Sequence, residues 1–475
     1  MLPIKAVITF VTLASTGLTG CAGMGGRPAP AARIAVPSDW SVPTPPVATD
    51  PVQYWTLLGD PQLDRLVAQA LENNRDVIQA AARVALARAS VRASRANYLP
   101  QIGASAGVQR DVGDFADTDL QFSGGADAQW EIDLFGRIGR DVAASRADLL
   151  AAGYSLADLQ RLVVGQVAQT TVSARALATQ LAIARDTLGI QDENLQIAEW
   201  RLQAGLVSSL DVEQARAQRA QTAATIPALE RDLAQAANAI SVLIAEPPGR
   251  VRAELEAAGT GIPTPPEIAG FQAPAEVLRR RPDVRQAEAT LIADTARIDV
   301  ARAQLLPLLR LTGNIGTASF GEDGLFDIIT GGLFAGVSQL IFDGGRTRAQ
   351  IDNAEARAQG SLAAWEQTIL TALADVESAD VALRKARERV AALAIALDAT
   401  DAAAILARSQ YQAGLIDFQK LLTAENQLLA ARNALAAANA ERANAFVSLQ
   451  QAVGGGWDTG ALRGAAGDMD GDITR

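Results

Sequence analysis

The sequence predicts a mainly α-helical chain with a membrane β segment, built as two internal repeats. Three observations carry that prediction. Gln203-Ala204-Gly205-Leu206 recurs as Gln412-Ala413-Gly414-Leu415, 209 positions later, each copy a glycine-centred break between long alanine-rich stretches. The stretches that lead into those breaks, about 138–203 and 347–412, contain no proline and hold a heptad seam. Residues 100–136 and 307–343 drop the helical period, alternate apolar and polar positions, and hold seven of the eleven phenylalanines.

Composition narrows the chemistry. The chain has 475 residues, a formal charge of −11, no histidine and one cysteine. Imidazole catalysis and Cys/His metal sites are excluded by inventory, and an acidic balance offers no nucleic-acid footprint. Carboxylates are plentiful, but no acid pair stands out.

The single cysteine lies at the end of a leader. A short basic start, Met1–Lys5, precedes an apolar run at residues 6–14 and then Leu18-Thr19-Gly20-Cys21. Residues 1–20 read as a signal peptide, too short for a permanent membrane helix. The last four residues resemble the bacterial lipobox, which predicts lipidation of Cys21; an ordinary leader with an incidental cysteine is the competing reading. No later stretch is expected to reach the roughly 18 apolar residues of a transmembrane helix.

The elements follow in order. Residues 21–54 are rich in Pro, Ala and Gly and read as a tether. The first repeat spans 55–250, opening on a helix capped by Asp60-Pro61. Asp76-Val77, Arg95-Ala96 and Leu99-Pro100 recur 207 positions on as Asp283-Val284, Arg302-Ala303 and Leu306-Pro307. Proline closes each helix. Hairpins are expected at about 101–134 and 308–343. On one face of the first fall Ile102, Ala104, Ala106 and Val108, then Phe122, Ala126, Ala128, Trp130 and Ile132; the second offers Leu309, Leu311, Ile315, Leu333, Ala335, Val337 and Ile341. Clustered aromatics on such strands suit the girdles of a membrane barrel. The alternative is a soluble sheet with covered edges. Four strands cannot close a membrane pore alone, so several chains must contribute.

After each hairpin a helix restarts. Leu149, Leu156, Val163, Thr170 and Leu177 form one heptad row and Val167, Ala174, Leu181 and Leu188 another; Leu362, Ile369, Val376 and Leu383 answer them in the second copy. Returning helices follow the breaks, with Pro227 expected to kink the first. A linker at 251–273 leads to the second repeat at 274–456, and 457–475 forms a Gly/Asp-rich tail.

The lipobox, YWTLLGDPQLDRLVAQALENN, LRRRPDV, IPALERDLAQAANAISVLIAEPP and the two breaks together resemble outer-membrane efflux proteins of the TolC superfamily, in its OprM/NodT-like lipoprotein branch. The resemblance covers nearly all of the chain after the leader. It implies a homotrimer whose four strands per chain form a 12-stranded outer-membrane barrel, continued by an α-helical barrel in the periplasm. It also implies two partners, a periplasmic adaptor and an inner-membrane pump of the RND type. The activity would be a passive exit duct for drugs or other small molecules, with no enzyme chemistry and no cofactor beyond a lipid on Cys21. Ala22 after the cysteine, rather than Asp, favours the outer membrane.

The helical breaks become adaptor-docking tips, carried by Gly205, Leu206, Ser209, Gly414 and Leu415. Glycine permits positive φ there and leucine offers an apolar knob. A periplasmic gate would involve Asp211, Asp417 and Lys420. Relatives carry acidic rings in the second repeat, where this chain has Lys420 and Thr423. Capping of a helix is the competing role for Asp211. Arg201 and Arg408 are either solvated or paired across helices, and Arg279, Arg280 and Arg281 are expected to cap and pair. A lipid-anchored periplasmic scaffold without a pore is the alternative function.

Overall fold

The computed structural model describes residues 28–41, 51–110, 112–114, 120–257, 259, 261–267, 272–320 and 329–457. The leader, Cys21 and the tail after Trp457 lie outside the described residues, as do most of the loop at 111–119 and all of 321–328.

A 3₁₀ segment, Pro51–Leu58, precedes α1 (Pro61–Asn73), α2 (Arg75–Ala96), β1 (Gln101–Gln109), β2 (Gln121–Ile132), α3 (Arg137–Gln203), α4 (Ser209–Leu243) and α5 (Arg250–Ala257). The second repeat supplies α6 (Pro274–Arg280), α7 (Pro282–Ala303), β3 (Leu308–Phe320), β4 (Ile329–Ser338), α8 (Arg346–Gln412) and α9 (Phe418–Ala452). The repeats match in length: α3 and α8 each have 67 residues, α4 and α9 each have 35. At 1.5 Å per residue the long helices measure about 100 Å.

Two compact units emerge. One combines the N-terminal residues to Arg33 with Arg83–Ala152 and Gln286–Gln367, and holds all four strands; the other combines Ile34–Ala82, Gly153–Arg285 and Thr368–Arg475.

In the helical unit the heptad seam becomes core. Val163, Val167, Ala174 and Leu181 are buried with Leu63, Leu66, Val67, Leu233, Ile240, Val376, Leu383 and Phe446. Thr170, Leu177 and Leu188 are only half-buried, because a straight helix of 3.6 residues per turn drifts off a strict heptad. Each large aliphatic side chain so buried stabilises the fold by roughly 1.5–3 kcal/mol. Asp60 caps α1 as expected, accepting from the backbone of Gln62 at 2.9 Å, and also receives Arg175 at 3.1 Å.

Several expectations need correction. Tyr54 is fully buried and Trp55 nearly so. The packed body therefore starts by Tyr54, the last residue of the stretch read as a tether. Residues 28–41 have no regular structure, yet they are held: Arg33 N–H donates to Glu366 at 2.9 Å, Trp40 Nε1 to the Gln272 carbonyl at 2.8 Å, and Ser41 N–H to Glu377 at 2.8 Å. Strand β4 ends at Ser338, so Ile341 lies beyond it. The helices before the hairpins stop at Ala96 and Ala303, three residues short of their Leu-Pro, since proline disfavours helix in the residue before it. Pro227 falls within α4, where the returning helix was expected to hold it. Finally, α8 does contain an 18-residue window long and apolar enough to cross a membrane by composition, with a mean hydropathy of 1.8 and 6% of it buried.

Candidate functional site

The four strands make one antiparallel sheet in the order β1-β2-β3-β4, so the pairing of β2 with β3 joins the two repeats. The register sorts the side chains into two unlike faces. Ile102 pairs with Ala128, Val108 with Phe122, Trp130 with Leu311, Ala126 with Ile315, and Leu309 with Val337. Those positions share one apolar face. On the other, Gln101 pairs with Gln129, Asp127 with Asn314, and Glu131 with Arg310. Neither face is covered: Ile102 is 76% exposed, Leu333 85% and Val337 70%. Strands of 9 to 13 residues have the length that crosses a bilayer. An uncovered aliphatic face of this kind is stable against hydrocarbon and a liability in water.

The aromatic girdle is partly elsewhere than expected. Trp130 does lie on the apolar face, donating its indole N–H to the Tyr98 carbonyl at 2.8 Å. Phe334, however, pairs with Thr312 and so belongs to the polar face. At the end of the sheet where β1 starts and β4 finishes, Tyr98, Leu99, Leu134, Leu340, Ile341 and Phe342 are all exposed. Chain connections, rather than strands, supply that apolar belt.

In the helical unit, both glycine breaks fold alike. Gly205 and Gly414 take φ of +70° and +77°. Leu206 N–H returns to the Arg201 carbonyl and Leu415 N–H to the Gln410 carbonyl, both at 2.8 Å. Each is a Schellman turn, in which glycine reverses the chain and the following residue satisfies an otherwise orphaned carbonyl. That following residue normally packs back on its helix. Here Leu206 and Leu415 stand out instead, 67% and 75% exposed.

The returning helices start differently. Ser208 precedes α4, and its N–H donates to Asp211 at 3.3 Å, so the cap falls to Ser208 while Ser209 is merely the first, exposed, helical residue. Asp417 caps α9 by accepting from Lys420 N–H at 2.9 Å, and the Lys420 ammonium lies 3.8 Å from the same carboxylate. Position for position, Ser208 answers Asp417 and Asp211 answers Lys420. The acid has moved from the third helical residue to the cap.

Below the tips, groups that sequence reasoning left open are engaged. Arg201 donates to the Tyr411 carbonyl at 2.6 Å and stacks 4.6 Å over the Tyr411 ring, a cation on the last turn of α8. Burial pushes the Tyr411 phenol up. Arg408 and Asn194 both donate to the buried Glu425 carboxylate, at 3.0 Å and 2.8 Å, tying α3, α8 and α9 together. Exposed Trp200 and Leu210 flank the first tip and were missed, though a tryptophan beside a glycine break was there to be noticed.

Residues 66–246 and 273–455 match the outer membrane efflux protein family. The chain belongs to that family. Among relatives, the cation efflux system protein CusC of Escherichia coli O6:H1 is 32% identical over 467 residues, covering 96% of this chain and all of CusC. Nodulation protein T of Rhizobium leguminosarum bv. trifolii is 31% identical over 421 residues, 87% of this chain and 90% of that protein. The solved outer-membrane channel OprN superposes with a TM-score of 0.80 at 31% identity, covering 90% of this chain and 99% of OprN.

This outer membrane efflux protein is thus a transport duct of the outer membrane, a component of an efflux system and not an enzyme. Its apolar sheet face meets lipid and its polar face meets water, as the alternation in membrane barrels requires.

Proposed function

We propose that three copies of the chain close one barrel and pass small molecules delivered by an inner-membrane pump through a periplasmic adaptor. The observation that carries the reading is the open sheet: four strands, apolar on one face, with β1 and β4 as free edges among the described residues. Unpaired strand edges are not tolerated in hydrocarbon, so β4 of one copy pairs with β1 of the next. Two copies would give eight strands, an interior that side chains fill; three give twelve, and leave a lumen. The exposed leucines of the tips, Leu206 and Leu415, are the adaptor contacts, with Gly205, Ser209 and Gly414 shaping the turn. The gate is built from Asp211, Asp417 and Lys420, and the Lys420 ammonium 3.8 Å from Asp417 makes the second repeat's contribution an ion pair where the first repeat offers an acid.

The pump is of the RND type, and Cys21 carries the lipid anchor. CusC is named for cation efflux, but this chain has no histidine, one cysteine and three methionines to handle soft metals. We read its cargo as organic solutes. A pore-free scaffold would leave the apolar sheet face in water.

The deciding measurement pairs planar-bilayer conductance of the purified protein with its heat-sensitive oligomer on a gel. A trimer with a small conductance is expected; a monomer without a pore would overturn the reading. For the anchor, palmitate labelling should vanish in Cys21→Ser, and labelling that persists would refute lipidation.

A further inference from the structure

We propose that Arg92, Arg95 and Arg146 of the first repeat hold the phosphate of an anionic phospholipid at the periplasmic rim of the sheet. The inference needs the lipid face of the sheet and nothing of cargo, pump or adaptor. It starts from a break in the repeat symmetry. Residues 77–110 hold five arginines and no acid, in a chain of net charge −11, whereas the matching residues 284–317 hold four arginines and three acids. In the second repeat Arg302 of α7 donates to Glu355 of α8 at 2.5 Å. The offset of 207 before the hairpins puts Arg95 at the place of Arg302, and the offset of 209 after them puts Arg146 at the place of Glu355. An arginine thus stands where the other repeat has the partner carboxylate. Three residues before Arg95, Arg92 likewise takes the place of Asp299.

The fold brings these cations to one level. Ser94 and Ser145, the residues before Arg95 and Arg146, meet through their hydroxyls at 2.8 Å, which fixes α2 against α3 there. Arg92 and Arg95 are neighbours on the surface of α2 by their spacing. Arg146 lies within electrostatic reach of the Tyr98 phenol. No carboxylate among the described residues is within ion-pair distance of the three arginines. Acids on the same stretch are engaged or turned away. Asp133 accepts from the Gly139 N–H at 2.9 Å, and Asp148 takes Arg297. Asp141, five residues before Arg146, is about 140° away around α3.

A lipid headgroup is the anion this place fits. Arg95 comes six residues before β1, and Tyr98 and Leu99 between them are exposed in the apolar belt with Ile341 and Phe342. The Tyr98 carbonyl accepts from the Trp130 indole, on the apolar face of the sheet. Acyl chains laid on that face carry their headgroups to the level of the arginines. A guanidinium matches phosphate oxygens with paired hydrogen bonds. Three unpaired cations favour a headgroup with net negative charge over one that brings its own ammonium.

Trp130 supplies the readout, since of the six tryptophans it alone lies on a strand. Its quenching by lipids brominated on their acyl chains reads which lipid sits beside the site. In vesicles of phosphatidylethanolamine and phosphatidylglycerol, brominated one at a time, phosphatidylglycerol should be enriched about fivefold at low salt, and less at ~1 M salt. Arg146→Glu builds the ion pair of the second repeat into the first. It should melt no lower than wild type and lose the enrichment. Arg95→Gln should reduce the enrichment, while Arg110→Gln, beyond the far end of β1, should leave it unchanged. Enrichment that survives both Arg146→Glu and Arg95→Gln, or a wild type without any, would overturn the proposal. A Trp130 that neither brominated lipid quenches would instead overturn the assignment of the lipid face, and this inference with it.

Discussion

Arg281 shows how one side chain organises the helical unit. It is 3% exposed and binds Asp283 at 2.7 Å, Asp375 at 3.1 Å and the Ala452 carbonyl at 3.0 Å. Burial alone would raise the Asp283 carboxyl, yet the Arg281 hydrogen bonds and charge outweigh it and hold the group below its usual range. A depressed folded-state pKa stabilises the protein above the unfolded value, near 4, and that contribution is lost as pH falls through the folded value. Arg281→Met strands the Asp283 carboxylate and merely unpairs the half-exposed Asp375, so stability at pH 7 should drop by about 3 kcal/mol. The gap between variant and wild type should then narrow on acidification, because protonation relieves the stranded Asp283 carboxylate and removes the wild-type advantage. Melting curves at pH 7 and pH 4 check the sign; a gap that widens would refute it. The sequence made a structural role for this arginine readable, because Arg-Pro-Asp before a helix is a capping pattern. Its contacts with Asp375 and Ala452, 94 and 171 positions away, had no local signature.

Turns at the ends of helices expose what one repeat preserved and the other gave up. At the end of α4, Glu246 N–H returns to the Ser241 carbonyl at 2.8 Å; at the end of α9, Gly455 N–H returns to the Gln450 carbonyl at 2.8 Å. The residue that must go left-handed is Ala245 in the first case, with φ +57°, and Gly454 in the second, with φ +83°. A Cβ in that conformation costs roughly 1–2 kcal/mol. Ala245→Gly should therefore stabilise by about 1 kcal/mol. Gly454→Ala should destabilise by about 1–2 kcal/mol from its φ alone, because its Cβ would meet Arg281 only in ordinary contact at 3.4 Å. Thermal denaturation of the pair should move in opposite directions. The tip turns were legible because Gln-Ala-Gly-Leu occurs twice. Ala245 was not, since alanine gives no hint of positive φ. Phe334 follows from alternation: Leu333 and Ala335 share the apolar face, so Phe334 falls on the other, where it pairs with Thr312.

For the whole molecule, two-fold repetition made most of the fold readable in advance. Period and proline placement located the long helices, and alternation located the strands. What could not be read was how the hairpins pair, since a sheet partner nearly 200 residues away leaves no local trace. Neighbouring residues on β3 now test the assignment of faces. Ile315→Lys puts a charge into hydrocarbon, at a cost of about 2–4 kcal/mol per copy, and should abolish the heat-sensitive oligomer. Asn314→Lys, one residue away on the other face, should leave the oligomer intact. Equal losses in both would mean the faces are misassigned. The matched helix lengths carry a last consequence. Arg201 and Tyr411 meet because both 67-residue helices reach their turns together. Each helix is in effect a ruler calibrated against the other. A heptad removed from one alone would offset the two turns by about 10 Å, so this duct can be shortened or lengthened only by the same amount in both repeats.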